Sequence, residues 1–151
     1  MSPIDAMVAQ GRIRRQTFRP DEVMQTLPRA QDELDAALMV AQKHNESAFG
    51  LAYNAMFLAG TALMQRDGFR TSADGHHRTL VEYLEERIGA LDMGLINELD
   101  EARKRRNWTL YDRRRITNKE LQYTLDAADR FLKFVTQLIG ESGLQIAPAG
   151  E

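Results

Sequence analysis

Apolar residues recur every three or four positions along most of the chain, and this spacing predicts helices. A first helix is predicted after Pro20, where Leu34, Ala37 and Leu38 follow the helical period. Proline in a helix interior removes a backbone hydrogen bond and clashes with the preceding turn. Pro28 therefore predicts either a break in this helix or a fresh start.

The second predicted helix carries the longest uncharged run of the chain, Ala48 to Met64. It begins at about Asn45 or Ser47, both of which are favourable N-cap residues. It ends at residue 67, because Gly68 suits a helix C-terminus. The run is slightly short for a membrane span, so a helix buried in a bundle is expected.

Two further helices are predicted from His77 to Ile88 and from about Asp92 to Asp112. Gly89 is expected to end the first of them. A polar segment with turn residues, RTSADGHH at positions 70–77, precedes this pair and predicts a loop.

A fifth helix is predicted from the capping-box sequence Thr117-Asn118-Lys119-Glu120. Its apolar period continues to Ile139, and Gly140 closes it. No strand is predicted, because β-branched residues are sparse and no alternating run persists.

Short connections between amphipathic helices favour an all-α fold, an antiparallel up-and-down bundle of four to five helices. The bundle is predicted to span residues 20–140. Residues 1–19 are expected to form a flexible basic arm, and residues 141–151 a flexible tail.

Composition is that of an ordinary globular domain. The 151 residues are 43% hydrophobic and 28% charged, and they include no cysteine. Disulfides and thiolate metal sites are therefore excluded. The first residues lack an apolar core of signal-peptide length, and a cytoplasmic location is expected.

Charge is distributed unevenly. Residues 103–115, the basic segment, read RKRRNWTLYDRRR and carry seven Arg or Lys against one Asp. The whole chain nevertheless has a net charge of −2. Arginine is suited to phosphate because its planar guanidinium binds two oxygens at once. The basic segment is therefore the part of the sequence that points to a ligand.

The helical period divides the basic segment into two groups. Its apolar stripe faces the bundle and consists of Ile96, Leu99, Ala102 and Leu110. Arg106 falls inside this stripe, and Arg103 and Asn107 fall at its edge. A buried charge without a partner is costly, so Arg106 is expected to face a carboxylate or a wet cleft. The cations predicted to point outward are Lys104, Arg105 and Arg115.

Three stretches resemble the HEPN family, the higher-eukaryote and prokaryote nucleotide-binding domains. They are AFGLAYNAMF at 48–57, GHHRTLVEYL at 75–84 and RKRRNWTLYD at 103–112. The resemblance covers about residues 20–140 and implies a helical bundle that forms a homodimer. It also implies RNA or nucleotide as ligand, no cofactor, and a role in a toxin–antitoxin or defence system beside a minimal nucleotidyltransferase partner.

Nuclease members of that family carry Arg, then a polar residue, then His after four to six intervening positions. Arg106 and Asn107 match the first two residues, but Tyr111 occupies the place of the His. Tyrosine, with a pKa near 10, is a poor proton acceptor at neutral pH. The candidate catalytic residues are thus Arg106, Asn107 and Tyr111. The candidate phosphate-binding residues are Arg103, Lys104, Arg105, Arg113 and Arg114.

Three functions stay open at this point. The first is an RNA- or nucleotide-binding homodimer, in which Trp108 or Tyr111 stacks on a base. The second is a metal-independent ribonuclease that uses Tyr111, with His76 and His77 as other candidates by residue type. Those two histidines are expected simply to cap a helix and contact solvent. The third is a structural adaptor, whose basic segment serves only to pair with acidic residues of a partner or a second subunit. The acidic positions available as counterparts are Glu82, Glu85, Glu86, Glu98, Asp100 and Glu101.

Other chemistries are excluded by residue spacing. A di-iron bundle needs Glu three residues before His on two helices, and no histidine of this chain has one. No zinc motif, glycine-rich phosphate loop or Ser/His/Asp set is present.

Overall fold

A computed structural model describes residues 1–72 and 75–141, and it confirms an all-α helical bundle. Two three-residue strands accompany the helices. In chain order the elements are α1 (Pro3–Ala9), β1 (Ile13–Arg15), α2 (Pro20–Val40), α3 (Asn45–Asp67), β2 (Phe69–Thr71), α4 (His76–Tyr111) and α5 (Asn118–Glu141). The tail predicted at residues 141–151 lies, apart from residue 141, outside the described residues.

Helix α3 is the centre of the bundle and packs against α2, α4 and α5. Its apolar residues do not follow one stripe, as expected of a helix that is enclosed on most sides. By length and composition α3 could span a membrane, but 61% of its most apolar window is buried. The prediction of a buried core helix is therefore confirmed for this segment.

Helix α4 reverses direction at Asp92, which has non-helical backbone angles of φ −160° and ψ 84°. The side chain of Asp92 accepts a hydrogen bond from the backbone N–H of Leu95 and so caps the second half. His77 and Arg106 would lie about 43 Å apart in a straight helix. Both contact Tyr53, so the halves of α4, residues 76–91 and 93–111, lie side by side. The two predicted helices are thus confirmed, but the break is at Asp92 rather than at residue 89.

Local capping chemistry sets most helix ends. Gly68 ends α3 with a left-handed backbone, φ 91°, as predicted. The capping box before α5 is present, since Thr117 and Glu120 exchange hydrogen bonds of 2.9 and 3.1 Å. The start of α3 differs from expectation, because His44 caps it by accepting from the N–H of Ser47.

Pro28 does not interrupt α2, although the sequence predicts a break or fresh start there. The proline lies on the solvent-exposed face of the helix. Water can therefore hydrate the backbone carbonyl that loses its partner, while the opposite face stays buried through Leu27 and Ala30.

Residues 1–19, expected to form a flexible arm, contain helix α1 and strand β1. Helix α1 begins with a capping box between Ser2 and Asp5. Strand β1 pairs antiparallel with β2, with Ile13 opposite Thr71. Met7 and Ile13 are both buried in the core. The prediction that the chain has no strand is wrong, because β1 and β2 form a short two-stranded ribbon. Each strand has three residues, which is too short to show an alternating pattern.

An ion pair fixes the ribbon to the bundle. Arg12, just before β1, donates to the carboxylate of Glu82 in the first half of α4. Arg78 also pairs with Glu82, at 3.2 Å. The N-terminal residues are therefore part of the folded domain.

Candidate functional site

Four cations of the basic segment are paired with carboxylates of the same chain. Arg103 and Lys104 lie 2.9 and 3.4 Å from the two oxygens of Asp100. Arg105, predicted to point outward, instead has a side chain only 21% exposed and pairs with Glu120 at 3.5 Å and with Glu101 at 3.7 Å. Arg115 pairs with Glu46 at 3.4 Å. Arg105 and Arg115 therefore link the second half of α4 and the following loop to α5 and α3, whereas Arg103 and Lys104 are paired within α4.

Arg106 differs from these four. It is partly buried, and no carboxylate oxygen among residues 1–72 and 75–141 lies within 4.0 Å of its guanidinium. Its guanidinium carbon lies 5.6 Å from the ring centre of Tyr53, within cation–π distance. Arg106 therefore lies on an aromatic face, and its N–H groups donate to no carboxylate of the described residues.

Four rings meet beside Arg106 and form what we call the ring cluster: Tyr53, Phe57, His76 and His77. The first two come from the middle of α3, and the histidines open α4. Ring centres are 4.4 Å apart for both Phe57–His77 and His76–His77. The Tyr53 hydroxyl lies 2.7 Å from Nδ1 of His77. The expectation that His77 merely caps a helix is wrong, because its ring is enclosed by aromatic neighbours.

This enclosure changes the ionisation of two groups. Burial lowers the pKa of His77 to about 4, assisted by the charges of His76, Arg106 and Arg103. Burial raises the pKa of Tyr53 to about 12, although Arg106 and Arg103 oppose that rise. At neutral pH both groups are therefore uncharged, and the positive charge of the site belongs to the arginines.

The hydrogen bond between Tyr53 and His77 sets the histidine tautomer. The phenol keeps its proton at neutral pH, and Tyr53 is fully buried. Its hydroxyl needs an acceptor, and Nδ1 of His77 is the acceptor at 2.7 Å. Nε2 of the neutral imidazole then carries the hydrogen. His77 is thus a hydrogen-bond donor through Nε2, next to the charge of Arg106.

Asn107 and Tyr111, the other two candidate catalytic residues, do not join the ring cluster. Asn107 is partly exposed, and it forms no hydrogen bond through its side chain within the described part of the chain. Tyr111 is 80% exposed at the end of α4. Leu110, predicted to face the bundle, is 55% exposed, because α4 leaves the core in its last turn.

The two remaining candidate cations lie beyond the end of α4 and are exposed. Arg113 has a left-handed backbone, φ 56°. The guanidinium group of Arg114 lies over the ring of Trp108, with its carbon 4.9 Å from the ring centre. Across residues 1–72 and 75–141, neither arginine has a carboxylate within 4.0 Å. They add exposed positive charge beyond the end of α4.

The acidic positions proposed as counterparts are largely occupied. Glu98 forms a two-point pair with Arg130 of α5, at 2.6 and 2.9 Å. Asp100 and Glu101 pair within α4, and Glu82 binds the ribbon. Within the described residues, no group of three or more His, Asp or Glu side chains is arranged to hold a metal ion.

Sequence reasoning missed Tyr53 and Phe57 as site residues. Both lie inside the uncharged run of α3, where an aromatic residue indicates only a buried position. The adjacent histidines His76 and His77 are the one sequence feature that indicates the position of the ring cluster, because the chain has only three histidines and two of them are neighbours.

Comparison with known proteins finds no family model that matches this chain and no curated protein with significant sequence similarity. Function is therefore inferred from the geometry of the site.

Proposed function

We propose that this protein binds RNA or a nucleotide, with the phosphate at Arg106 and its neighbours. The observation that carries the proposal is the position of Arg106, partly buried over Tyr53 and without a carboxylate in the described chain. A partly desolvated cation attracts an anion more strongly than an exposed one does, because solvent screens it less.

The groups around Arg106 suit an anionic ligand whose oxygens accept hydrogen bonds. Nε2 of His77 and the Arg106 guanidinium are both donors, and both residues contact the same side chain, Tyr53, His77 through Nδ1 and Arg106 through its guanidinium. Phosphate oxygens accept such hydrogen bonds, and arginine can bind two of them at once. Arg113 and Arg114 add exposed charge that suits the next phosphates of a strand.

The resemblance to HEPN domains adds a homodimer to the proposal. The last turn of α4 exposes three large side chains: Trp108, Leu110 and Tyr111 are 39%, 55% and 80% exposed. An apolar group of this kind beside the arginines suits contact with a second copy of the chain. In that arrangement Tyr111 and the two exposed arginines would lie near the subunit boundary.

The proposal is tested by fluorescence anisotropy with labelled single-stranded RNA at low and moderate salt. Arg106→Ala is expected to weaken binding and to reduce the salt dependence, by about 0.7 in the log–log slope for each phosphate that the variant no longer neutralises. Arg29→Ala is the matched control, because Arg29 is an exposed arginine of α2 with no ion pair in the described chain. Equal affinity of the two variants for RNA would refute the Arg106 site.

A second candidate function, a metal-independent ribonuclease, is favoured by one observation. The basic segment has no histidine, yet His77 from the first half of α4 lies in the ring cluster beside Arg106. His77 is the better candidate for proton transfer than Tyr111, which is exposed and lies outside the ring cluster. Its low pKa nevertheless makes it a weak base, so binding is the primary proposal.

Incubation of total RNA with the protein and a chelator tests the ribonuclease. Cleavage by the unaltered protein that disappears in both His77→Gln and Arg106→Ala would support it. Cleavage that persists in His77→Gln would refute the role of His77, and cleavage that persists in both variants would indicate a contaminating nuclease.

A further inference from the structure

The ribbon places two arginines directly opposite each other. Arg14 in β1 is the register partner of Arg70 in β2, and both are exposed. The backbone hydrogen bonds two residues to either side are 3.0 and 2.9 Å long. By the alternation of an antiparallel ladder, Arg14 and Arg70 are therefore also a hydrogen-bonded pair. Directly opposed side chains share one face, with Cβ atoms about 4.5–5.5 Å apart.

The opposed pair occupies the outer face of the ribbon. Ile13 is 1% exposed and belongs to the core, and successive side chains of a strand point to opposite faces. Arg14 therefore points away from the core, together with Arg70. The next residue, Arg15, returns to the inner face, where its guanidinium lies over the ring of Phe69. The outer face at this position thus presents two guanidinium groups.

Neither arginine of the opposed pair has an acidic partner. Residues 12–19 carry four arginines and no acidic residue. Three of these arginines form ion pairs elsewhere in the chain, which join Arg12 to Glu82, Arg15 to Asp5 and Arg19 to Asp21. Over residues 1–72 and 75–141, no carboxylate oxygen lies within 4.0 Å of Arg14 or Arg70. Arg70 donates only to a neutral acceptor, Oε1 of Gln16, at 3.3 Å.

This arrangement favours an anion between the two strands. Like charges directly opposite each other on a ribbon are destabilising. An anion that contacts both guanidinium groups would replace their repulsion by charge-assisted hydrogen bonds. The support is fixed, because Ile13 is buried and Arg12 is paired with Glu82. A preformed surface lowers the entropic cost of binding.

The ribbon adjoins the ring cluster. Arg70 and Phe57 both line one cavity of about 310 Å³. The ring centre of Phe57 lies 4.4 Å from that of His77 and 5.8 Å from that of His76. The opposed arginines are therefore in the same region of the molecule as the ring cluster, across this cavity.

We propose that the outer face of the ribbon is a second phosphate-binding surface, at which Arg14 and Arg70 together bind the backbone of RNA. The inference rests on the proposed function for the identity of the ligand, but it concerns different residues. Headgroups of an anionic membrane also carry phosphate, but membrane-binding surfaces combine charged with large apolar side chains. Neither strand contributes any of the exposed large apolar side chains of the described chain, so RNA is the partner that fits.

Fluorescence anisotropy with labelled single-stranded RNA at several salt concentrations tests the ribbon. Arg14→Gln and Arg70→Gln are each expected to weaken binding by about threefold to tenfold near 0.1 M salt, and to lower the log–log salt slope by about 0.7 for each phosphate no longer neutralised. Arg29→Gln removes the same charge from an exposed position of α2. It is expected to keep the affinity within about twofold, because solvent and salt screen a remote exposed charge.

A charge-preserving variant separates the phosphate contact from a change in the ribbon itself. Arg14→Lys/Arg70→Lys keeps both positive charges, so its salt slope is expected to match that of the unaltered protein. Its affinity is expected to be lower, because lysine does not bind two oxygens in one plane as arginine does. A slope as low as that of the Gln variants would overturn the role of charge at the ribbon.

Failure of this inference is distinguishable from failure of the proposed function. RNA binding that needs Arg106 but is the same in Arg14→Gln, Arg70→Gln and Arg29→Gln would overturn the ribbon surface and leave the Arg106 site. Binding that needs the ribbon arginines but not Arg106 would support the ribbon and overturn the Arg106 site. No RNA binding by the unaltered protein would overturn both.

The membrane alternative has its own measurement. Co-sedimentation with phosphatidylglycerol vesicles that is lost in Arg14→Gln and Arg70→Gln, while both variants keep full affinity for RNA, would overturn RNA as the partner of the ribbon. Loss of RNA affinity in the two variants, without binding of the unaltered protein to vesicles, is the expected result.

Discussion

The hydroxyl of Tyr53 lies 2.7 Å from Nδ1 of His77, and this hydrogen bond joins the core helix α3 to the beginning of α4. It fixes the imidazole in its neutral form with Nε2 protonated. The same tyrosine ring supports Arg106 from the far end of α4. One buried phenol thus positions both side chains that would meet an anion.

Acidification is expected to destabilise the protein through His77. Its pKa is about 4 in the folded chain, against an ordinary value near 6.5. Between these values the unfolded chain binds the proton and the folded chain does not. The free energy of unfolding therefore falls as pH decreases from about 6.5 to 4, with a contribution of at most about 1.4 kcal/mol per pH unit for one proton.

Urea denaturation at pH 7, 6 and 5 measures this effect as a difference between variants, since carboxylates also titrate. His77→Gln is expected to lose less stability on acidification than the unaltered protein. His76→Gln, which changes the exposed neighbour, is expected to keep most of the dependence. Parallel curves for the unaltered protein and His77→Gln would contradict the prediction.

An anion at Arg106 is expected to raise the pKa of His77. A nearby negative charge favours the imidazolium, and an opposite charge within about 4–6 Å shifts a pKa by about 1–3 units. The measurement is an NMR titration of the His77 ring, with and without RNA. Binding that saturates without moving the His77 titration would place the ligand elsewhere.

Asp67→Ala is expected to reduce the free energy of unfolding by about 2–4 kcal/mol. The carboxylate of Asp67 accepts from the hydroxyl of Tyr83 at 2.5 Å and from Nε of Arg87 at 2.8 Å. Tyr83 is fully buried, so its hydroxyl would lose its acceptor. Chemical denaturation of this variant, with Asp35→Ala as an exposed control, measures the loss.

The double variant Asp67→Ala/Tyr83→Phe sharpens that experiment. It removes the donor along with the acceptor, so its loss of stability is expected to be smaller than the sum of the two single losses. Simple additivity would show that the Asp67–Tyr83 hydrogen bond does not couple the two positions.

Ile13→Ala is expected to cost about 2–5 kcal/mol of stability, the usual range for a buried isoleucine. Ile13 is 1% exposed, although it lies in a segment whose sequence predicts a flexible arm. Arg14→Ala, the adjacent exposed position of β1, is expected to change stability by less than about 0.5 kcal/mol. Equal and small effects in thermal or urea denaturation would indicate that the ribbon does not belong to the core.

Local signals made the helices predictable. Gly68 and the Thr117–Glu120 capping box act within one turn of the positions that they set, so the end of α3 and the start of α5 follow from adjacent residues. The ribbon escaped prediction because its strands pair residues about 60 positions apart, such as Ile13 and Thr71. Pairing at that separation leaves no periodic trace in three residues.

The candidate site was predictable only in part. The helical period indicated that Arg106 turns toward the bundle, and the structure agrees with that position. The period could not indicate which groups Arg106 would meet, since Tyr53 and His77 come from other parts of the chain. Tyr111 is a candidate catalytic residue only through the spacing of the Arg-polar-His motif. That spacing does not indicate that the final turn of α4 leaves Tyr111 exposed.

The reversal at Asp92 constrains how the chain can vary in length. Adding one residue within either half of α4 would rotate every later side chain by about 100° about its axis. Arg106 would then lose its contact with the Tyr53 ring, or His77 would lose its hydrogen bond to the Tyr53 hydroxyl, even though no site residue had been replaced. Insertions at the apex of this hairpin, next to Asp92, leave both registers intact. Spacing within each half is thus as much a determinant of the site as the identity of its side chains.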